Sequence, residues 1–144
     1  MINTNQNIVA ALNSDITLAA LMGTTVPNKL IFSGDVDIVQ ETQASFQYPM
    51  IMISPISEVF DVLPLEARNA HFQLDIFDRT SQLEVEQIYE QVVYNLSFIN
   101  TSQGGTKIWW TRPDSATYVH EGEMRIFHIR LDVVVYSYNN TLPE

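Results

Sequence analysis

The chain has 144 residues, of which 46% are hydrophobic and 17% charged, a composition that is typical of a folded globular protein and not of a disordered or fibrous one. Seven basic residues against seventeen acidic ones give a formal net charge of −10, which disfavours nucleic acid and anionic membranes as adhesive partners. The chain contains no cysteine, so disulfide bonds and thiolate zinc sites are excluded.

The start of the chain does not have the pattern of a signal peptide. Residues 1–6 contain no Lys or Arg, and the apolar stretch that follows is broken at Ser14 and Asp15. No window approaches the roughly 20 apolar residues of a membrane span. We therefore expect residues 1–144 to form one domain with no membrane partner.

Helical structure is predicted near the N-terminus. Apolar residues between Ile8 and Met22 recur at helical spacing, and Gly23 suits a helix C-terminus. The polar residues 13–15 interrupt this pattern. Two short helices, with Ser14 as the N-cap of the second, fit the pattern at least as well as one continuous helix.

Short strands are predicted in the next part of the chain. Residues 29–32 form a brief candidate, and the apolar run over 50–53, which ends at Pro55, is typical of an interior strand. Residues 33–48 are polar and are predicted to be a loop. The alternation over residues 70–77 predicts a strand with one apolar face.

The segment over residues 58–68 is predicted to be a loop, and it is unusually apolar for one. Phe60, Leu63 and Leu65 contribute most to this character. Exposed apolar loops tend to be contact surfaces, so we expect these residues to lie in an interface between subunits or with a partner.

The clearest helix begins at Ser81, which forms a capping box with Glu84. One apolar stripe runs along this helix and should pack on the sheet. Its members are Val85, Ile88, Tyr89, Val92 and Leu96.

The C-terminal part is predicted to hold a strand over residues 106–112, an extended loop over 113–123 and a long final strand over 125–137. In the final strand, Phe127, Ile129, Leu131, Val133 and Val135 alternate with His128, Arg130, Asp132 and Val134. This order of elements predicts an α+β fold, with a mostly antiparallel or mixed sheet packed against an N-terminal helical segment and one central amphipathic helix.

Aromatic residues near the C-terminus are further interface candidates. Trp109 and Trp110 are adjacent in a predicted strand, so they should point to opposite faces, and only one can enter the core. The other is expected to be exposed or in an interface, where Trp is enriched. Tyr118 lies in the predicted loop and is a candidate for the same reason.

Familiar catalytic motifs are absent from the sequence. No Gly directly precedes a Lys, which excludes a P-loop, and no Ser has the G-x-S-x-G context of a nucleophile elbow. His71, His120 and His128 lack a ligand-like spacing on one helix, so each is interpreted as an ordinary strand or loop residue.

Two acidic pairs are candidates for a site. Asp35 and Asp37 have the separation of calcium-loop ligands, but the glycine and the closing glutamate of that loop are missing. Glu121 and Glu123 lie in a polar predicted loop, which favours solvated carboxylates over an acid–base pair. We expect no catalytic residues, no metal, no cofactor and no enzymatic activity.

The order of elements resembles the tail terminator, or tail completion, family of long-tailed bacteriophages over nearly the whole chain. The resemblance is carried by the helical segments 8–12 and 16–23, the run 49–53, the strand 68–77, the helix after Ser81 and the closing segment 124–133.

The resemblance implies a structural virion protein of the tail or neck, assembled in the host cytoplasm. Such a protein forms a hexameric ring on the head-proximal end of the tail tube. The ring ends tube polymerisation and offers a surface to the head's neck, or connector, proteins. The implied partners are further copies of the chain, the tail tube protein and the connector protein.

The acidic charge has two interpretations, of which one is that an excess of Asp and Glu keeps a small, otherwise apolar protein soluble. The other is that it suits a ring through which DNA passes without specific binding, because an anionic lumen repels phosphates over about a Debye length. The candidates for lining this lumen are acidic residues in predicted loops. They are Asp35, Asp37, Glu41, Glu121 and Glu123.

Two alternatives stay open at this point. One is another neck, connector or adaptor protein of the same virion, which would bind partners without forming the terminating ring. The other is an enzyme of unrecognised type.

Overall fold

The computed structural model describes residues 2–23, 31–33, 48–60, 68–98, 102–103, 106–120 and 126–139. In these ranges the helices are α1 (Ile2–Asn13), α2 (Ile16–Leu21) and α3 (Gln82–Ser97). The strands are β1 (Ile31–Ser33), β2 (Met50–Phe60), β3 (Arg68–Asp78), β4 (Ser102–Gln103), β5 (Thr106–His120) and β6 (Phe127–Asn139).

The strands of the described ranges form one six-stranded sheet in the order β1-β2-β3-β6-β5-β4. β1 is parallel to β2, and the other neighbouring pairs are antiparallel. After β3, α3 carries the chain to the opposite edge of the sheet, and β6 then returns to lie between β3 and β5. The predicted α+β class, with a mixed sheet, is confirmed.

The helices pack on one face of the sheet, which we call the helix face. The core on this face includes Ile51, Ile53, Phe72, Leu74, Ile76, Ile129, Leu131, Val133 and Val135 from the strands, and Ile8, Leu12, Leu18, Val85, Ile88, Val92 and Leu96 from the helices. Each fully buried Leu or Ile contributes about 1.5–3 kcal/mol through removal from water. The predicted stripe of α3 therefore anchors this helix, with Tyr89 only partly buried at its margin.

The N-terminal helices meet at a corner. Asp15, not the predicted Ser14, is the N-cap of α2, and its side chain accepts a hydrogen bond from the backbone N–H of Leu18. The Ser14 hydroxyl instead donates to the carbonyl of Ala11, which belongs to the end of α1. A carboxylate is also the stronger acceptor for the exposed N–H groups of a helix start.

The start of α3 confirms the predicted N-cap. Oγ of Ser81 accepts from the backbone N–H of Glu84 at 3.1 Å. The reciprocal bond differs from a capping box, because Oδ2 of Asp78, and not the Glu84 side chain, accepts from the Ser81 N–H at 3.3 Å. The last residue of β3 thus fixes the first turn of α3.

β2 is longer than predicted, because a change of register carries it past Pro55. The ladder with β3 shifts between Pro55 and Ser57, and β2 then continues to Phe60. The residue without a ladder partner is Ile56, directly after the proline, and prolines inside sheets, which lack an N–H, are found at such bulges. The predicted loop over 58–68 is therefore strand at both ends, and residues 61–67 lie outside the described ranges.

β5 shows the same effect at Pro113. Its register against β6 shifts between Pro113 and Ser115, and the strand continues to His120. The predicted loop over 113–123 is wrong for residues 113–120, and Tyr118 lies in a strand. Residues 34–47 of the predicted loop over 33–48 lie outside the described ranges. Among the helices that are described, none is long and apolar enough to cross a membrane.

Candidate interaction surfaces

The sheet face opposite the helices, which we call the distal face, carries a smaller apolar cluster. Met50, Met52, Phe77 and Ile126 are buried together there, and Tyr48 packs against them. The guanidinium of Arg79 lies over the Tyr48 ring at 4.7 Å from its centroid. The distal face is thus partly apolar and not simply a solvated surface.

A buried ionic network lies beside this cluster. Nε2 of His128 and Oδ1 of Asp75 are 2.6 Å apart, and the imidazole donates because the carboxylate accepts. Nε of Arg130 donates to the same oxygen at 3.1 Å, and Nε2 of Gln73 donates to Oδ2 at 2.9 Å. The His128 ring stacks on Phe77, with 4.1 Å between ring centroids.

The network favours the ionised form of Asp75. Burial alone would raise the pKa of this carboxyl, but hydrogen bonds from His128, Gln73 and Arg130 outweigh it and hold the pKa below its usual value. The side chains of His128 and Asp75 are only 3% and 8% exposed. This arrangement suits an ion pair that fixes the register of β3 against β6 better than it suits proton exchange with a substrate.

An exposed aromatic patch lies on the distal face of β5 and β6. The rings of Trp110 and Tyr136 stack, with 4.7 Å between centroids, and Trp110 remains 45% exposed. Arg112 lies two residues further along β5 on the same face and is exposed. Trp, Tyr and Arg are the residues most enriched at the energetic centres of interfaces. We call these three residues the Trp110 patch.

A groove of about 750 Å³ lies on the helix side of the molecule, along the outer surface of α3. Leu21, Leu83, Glu86, Glu90, Tyr94 and Tyr118 are among its lining residues. Leu83 is 64% exposed and Tyr94 63% exposed, which leaves large apolar surfaces in contact with solvent. We call this feature the α3 groove.

Tyr118 closes one side of the α3 groove. Its hydroxyl donates to Oε1 of Glu86 and so connects β5 to α3. This hydrogen bond to a carboxylate raises the pKa of the Tyr118 phenol, because ionisation would place a second negative charge beside Glu86.

Leu83 and Tyr94 on α3, together with Phe98 at its C-cap, form a second apolar row that the sequence analysis missed. They are exposed, and the rings of Tyr94 and Phe98 are 5.1 Å apart between centroids. Their positions could have predicted a contact surface. A helix that packs by one face needs apolar residues only in that stripe, so apolar residues outside it indicate an exposed apolar patch.

The structure places only part of the predicted interface set. Trp110 lies on the distal face, whereas Tyr118 lies on the helix face of the same strand. Phe60 is the last residue of β2 and Trp109 lies in β5, but the structure does not describe their side chains. Leu63 and Leu65 fall outside the described ranges, so their interface role stays a prediction.

The predicted acidic lumen residues also fall outside the described ranges, and their position is untested. They are Asp35, Asp37, Glu41, Glu121 and Glu123. Of the predicted strand or loop histidines, His71 is exposed on β3 and His120 ends β5, while His128 is the buried member of the Asp75 network. Within the described part of the chain, no group of three or more His, Asp or Glu residues is placed to hold a metal ion.

Comparison with known proteins identifies the fold through structure alone. No family model matches the sequence, and no curated protein matches it. Among solved structures, the chain is similar to one from the virion of a native gene transfer agent particle, with a TM-score of 0.68 and 11% sequence identity. The match covers 94% of this chain and 95% of that chain, so the two share a fold over nearly their whole length.

Proposed function

We propose that this protein is a structural component of a phage-like virion and that it forms the ring that terminates the tail tube. The observation that carries the proposal is the similarity in fold, over nearly the whole chain, to a chain of a gene transfer agent virion. The order of elements, which resembles the tail terminator family, supports the position at the head-proximal end of the tube.

The surfaces support an assembly role over a catalytic one. The Trp110 patch and the α3 groove expose large aromatic and aliphatic side chains on opposite faces of the sheet. Surfaces of this composition are typical of sites that bind other proteins. We therefore propose that the protein is not an enzyme and that it works without a cofactor.

The charge supports passage of DNA through such a ring. The chain carries a formal net charge of −10, and the charged residues of the α2 N-cap and α3 (Asp15, Glu84, Glu86 and Glu90) are all acidic. We propose that the acidic residues of the predicted loops face the lumen and keep DNA from adhering.

The proposal is tested by adding the purified protein to the tail tube protein of the same virion while the tube polymerises. Electron microscopy of negatively stained tubes then measures their length distribution. Substoichiometric protein should shorten the tubes and leave one end of each tube capped. Tubes of unchanged length, with uncapped ends, would refute the terminator role.

The same fold similarity fits a neck or connector protein of the virion, because a fold shared with a chain of a virion does not assign a position within the particle. The experiment separates the two roles when the head's connector protein is tested in parallel. A protein that binds the connector but leaves tube growth unchanged is the neck component. A protein that binds the connector and also stops tube growth is the terminator.

A further inference from the structure

We infer that the Trp110 patch of one copy docks into the α3 groove of the next copy, so that the protein assembles through two different surfaces. The inference rests on the proposed ring and specifies how its subunits meet. The occupant of the α3 groove is a second copy of this chain.

Charge complementarity is the first argument. Glu86 and Glu90 line the α3 groove, and helices α1, α2 and α3 contain no Lys or Arg. Arg112 is exposed on the distal face, beside the aromatic pair of the patch. A cation entering the groove would therefore meet two carboxylates with no basic residue on these helices to oppose it.

The shape and composition of the surfaces are the second argument. The groove has a volume of about 750 Å³, room for more than one large side chain, and Leu83 and Tyr94 offer apolar surface within it. The Trp110 ring is held in place by its stack with Tyr136 and keeps 45% of its surface exposed. A fixed aromatic ring loses little conformational entropy on binding, which suits it as an anchor.

The placement of the two surfaces is the third argument. Trp110 and Arg112 point to the distal face of β5, whereas Tyr118, on the same strand, forms part of the groove on the helix face. When one copy docks on another, each pair keeps one free patch and one free groove. Contacts of this heterologous kind add subunits until rotation closes a ring.

The experiment uses charge reversal on each surface. Glu90→Arg changes the groove, and Arg112→Glu changes the patch; both residues are exposed in the structure, so the variants should fold. Sedimentation velocity over a concentration series measures assembly of each variant, alone and in an equimolar mixture. Ser57→Arg and Ser57→Glu are the controls, because Ser57 is exposed on β2, three strands from β5 in the sheet.

Each reversal alone should weaken association by about tenfold or more, because like charges then meet across the contact. The mixture should restore assembly, because the basic groove of the Glu90→Arg chain accepts the acidic patch of the Arg112→Glu chain. The unchanged acidic groove of the Arg112→Glu chain likewise accepts the unchanged basic patch of the Glu90→Arg chain. The Ser57 controls should assemble as the wild type does. The milder variants Glu90→Gln and Arg112→Gln should show a smaller loss in the same direction.

Three results would overturn the inference. Wild-type assembly of both reversal variants, or a mixture that stays dissociated, rejects these two surfaces while the tube-terminating role stands on its own test. A wild-type chain that stays monomeric both alone and with the tube protein rejects the ring as well. The tube-length measurement therefore distinguishes failure of the docking from failure of the proposed function.

Discussion

Asp15 and Gln91, 76 residues apart in the chain, are joined by a hydrogen bond of 2.8 Å from Nε2 of the amide to Oδ2 of the carboxylate. The same oxygen accepts from Nδ2 of Asn95 at 3.1 Å, while Oδ1 accepts from the Leu18 N–H. The Asp15 side chain thus caps α2 and connects it to α3, and its partner Gln91 is one of the residues that line the α3 groove.

Asp15→Ala should destabilise the protein by about 2 kcal/mol, because it removes an N-cap and two hydrogen bonds between helices. Gln91→Ala should cost about 1 kcal/mol, and the double variant should cost less than the sum by about 1 kcal/mol. Urea unfolding of all four proteins measures this coupling. Gln87→Ala, at an exposed position of the same helix, is the control and should stay within about 0.5 kcal/mol. Additive effects of Asp15 and Gln91 would contradict the account.

Asp75→Asn should cost about 3 kcal/mol at pH 7, because it removes the charge that pairs with His128 and Arg130 in a buried site. The folded state lowers the pKa of Asp75, so its contribution is present above the usual value of 3.8 and is lost as the pH falls below it. The difference in melting temperature between wild type and variant should therefore shrink from pH 7 to pH 3.

The matched control for Asp75→Asn is Asp132→Asn, because Asp132 lies on β6 and on the same distal face of the sheet as Asp75. Asp132 is only half-buried and accepts a hydrogen bond from Ser115 at 3.0 Å. This change should cost under about 1 kcal/mol. An Asp75→Asn protein that melts like the Asp132→Asn protein at pH 7 would show that the network contributes little.

Ser81→Ala should cost about 1 kcal/mol of stability, because it leaves the Glu84 N–H at the start of α3 without its acceptor. Thermal unfolding measures the effect. Ser97→Ala is the control, since the Ser97 hydroxyl donates only within the last turns of the same helix, to the Val93 carbonyl. Equal melting temperatures for the Ser81 and Ser97 variants would contradict the assigned cap.

Tyr118 should titrate above the usual phenol pKa of 10.0 because its hydroxyl donates to the Glu86 carboxylate. Difference absorbance at 295 nm, compared between the wild type and Tyr118→Phe, isolates this phenol. Glu86→Gln removes the negative charge and should bring the pKa of Tyr118 down toward its usual value. A titration of Tyr118 that is identical in the wild type and in Glu86→Gln would reject the contact.

The sequence predicted those features that depend on residues close together in the chain, such as the buried face of a strand and the start of a helix. The alternation in β6 placed Ile129, Leu131 and Val133 in the core, and Ser81 marked the start of α3. The prolines misled the prediction, because whether a strand ends or bulges at Pro113 depends on the partner strand. A single sequence does not show where that partner lies.

The candidate surfaces depend even more on long-range pairing. Asp75 and His128 come together only through the register of β3 against β6, which no local spacing encodes. Trp110 was predicted from its residue type, but its neighbour Tyr136 follows from the pairing of β5 with β6. The α3 groove combines α2, α3 and β5, so no local pattern predicts it as a whole. Tyr118 was predicted to be an interface residue from its residue type, whereas the outward row of α3 was detectable in the sequence but was missed.

The measurement that tests the central claim most directly is cryo-electron microscopy of tail tubes grown with the protein, with averaging of the capped ends. The account predicts a closed ring of six copies, each of 16.4 kDa, stacked on one end of the tube around an open lumen. Tube ends that lack the protein, or that carry single copies without a closed ring, would contradict it.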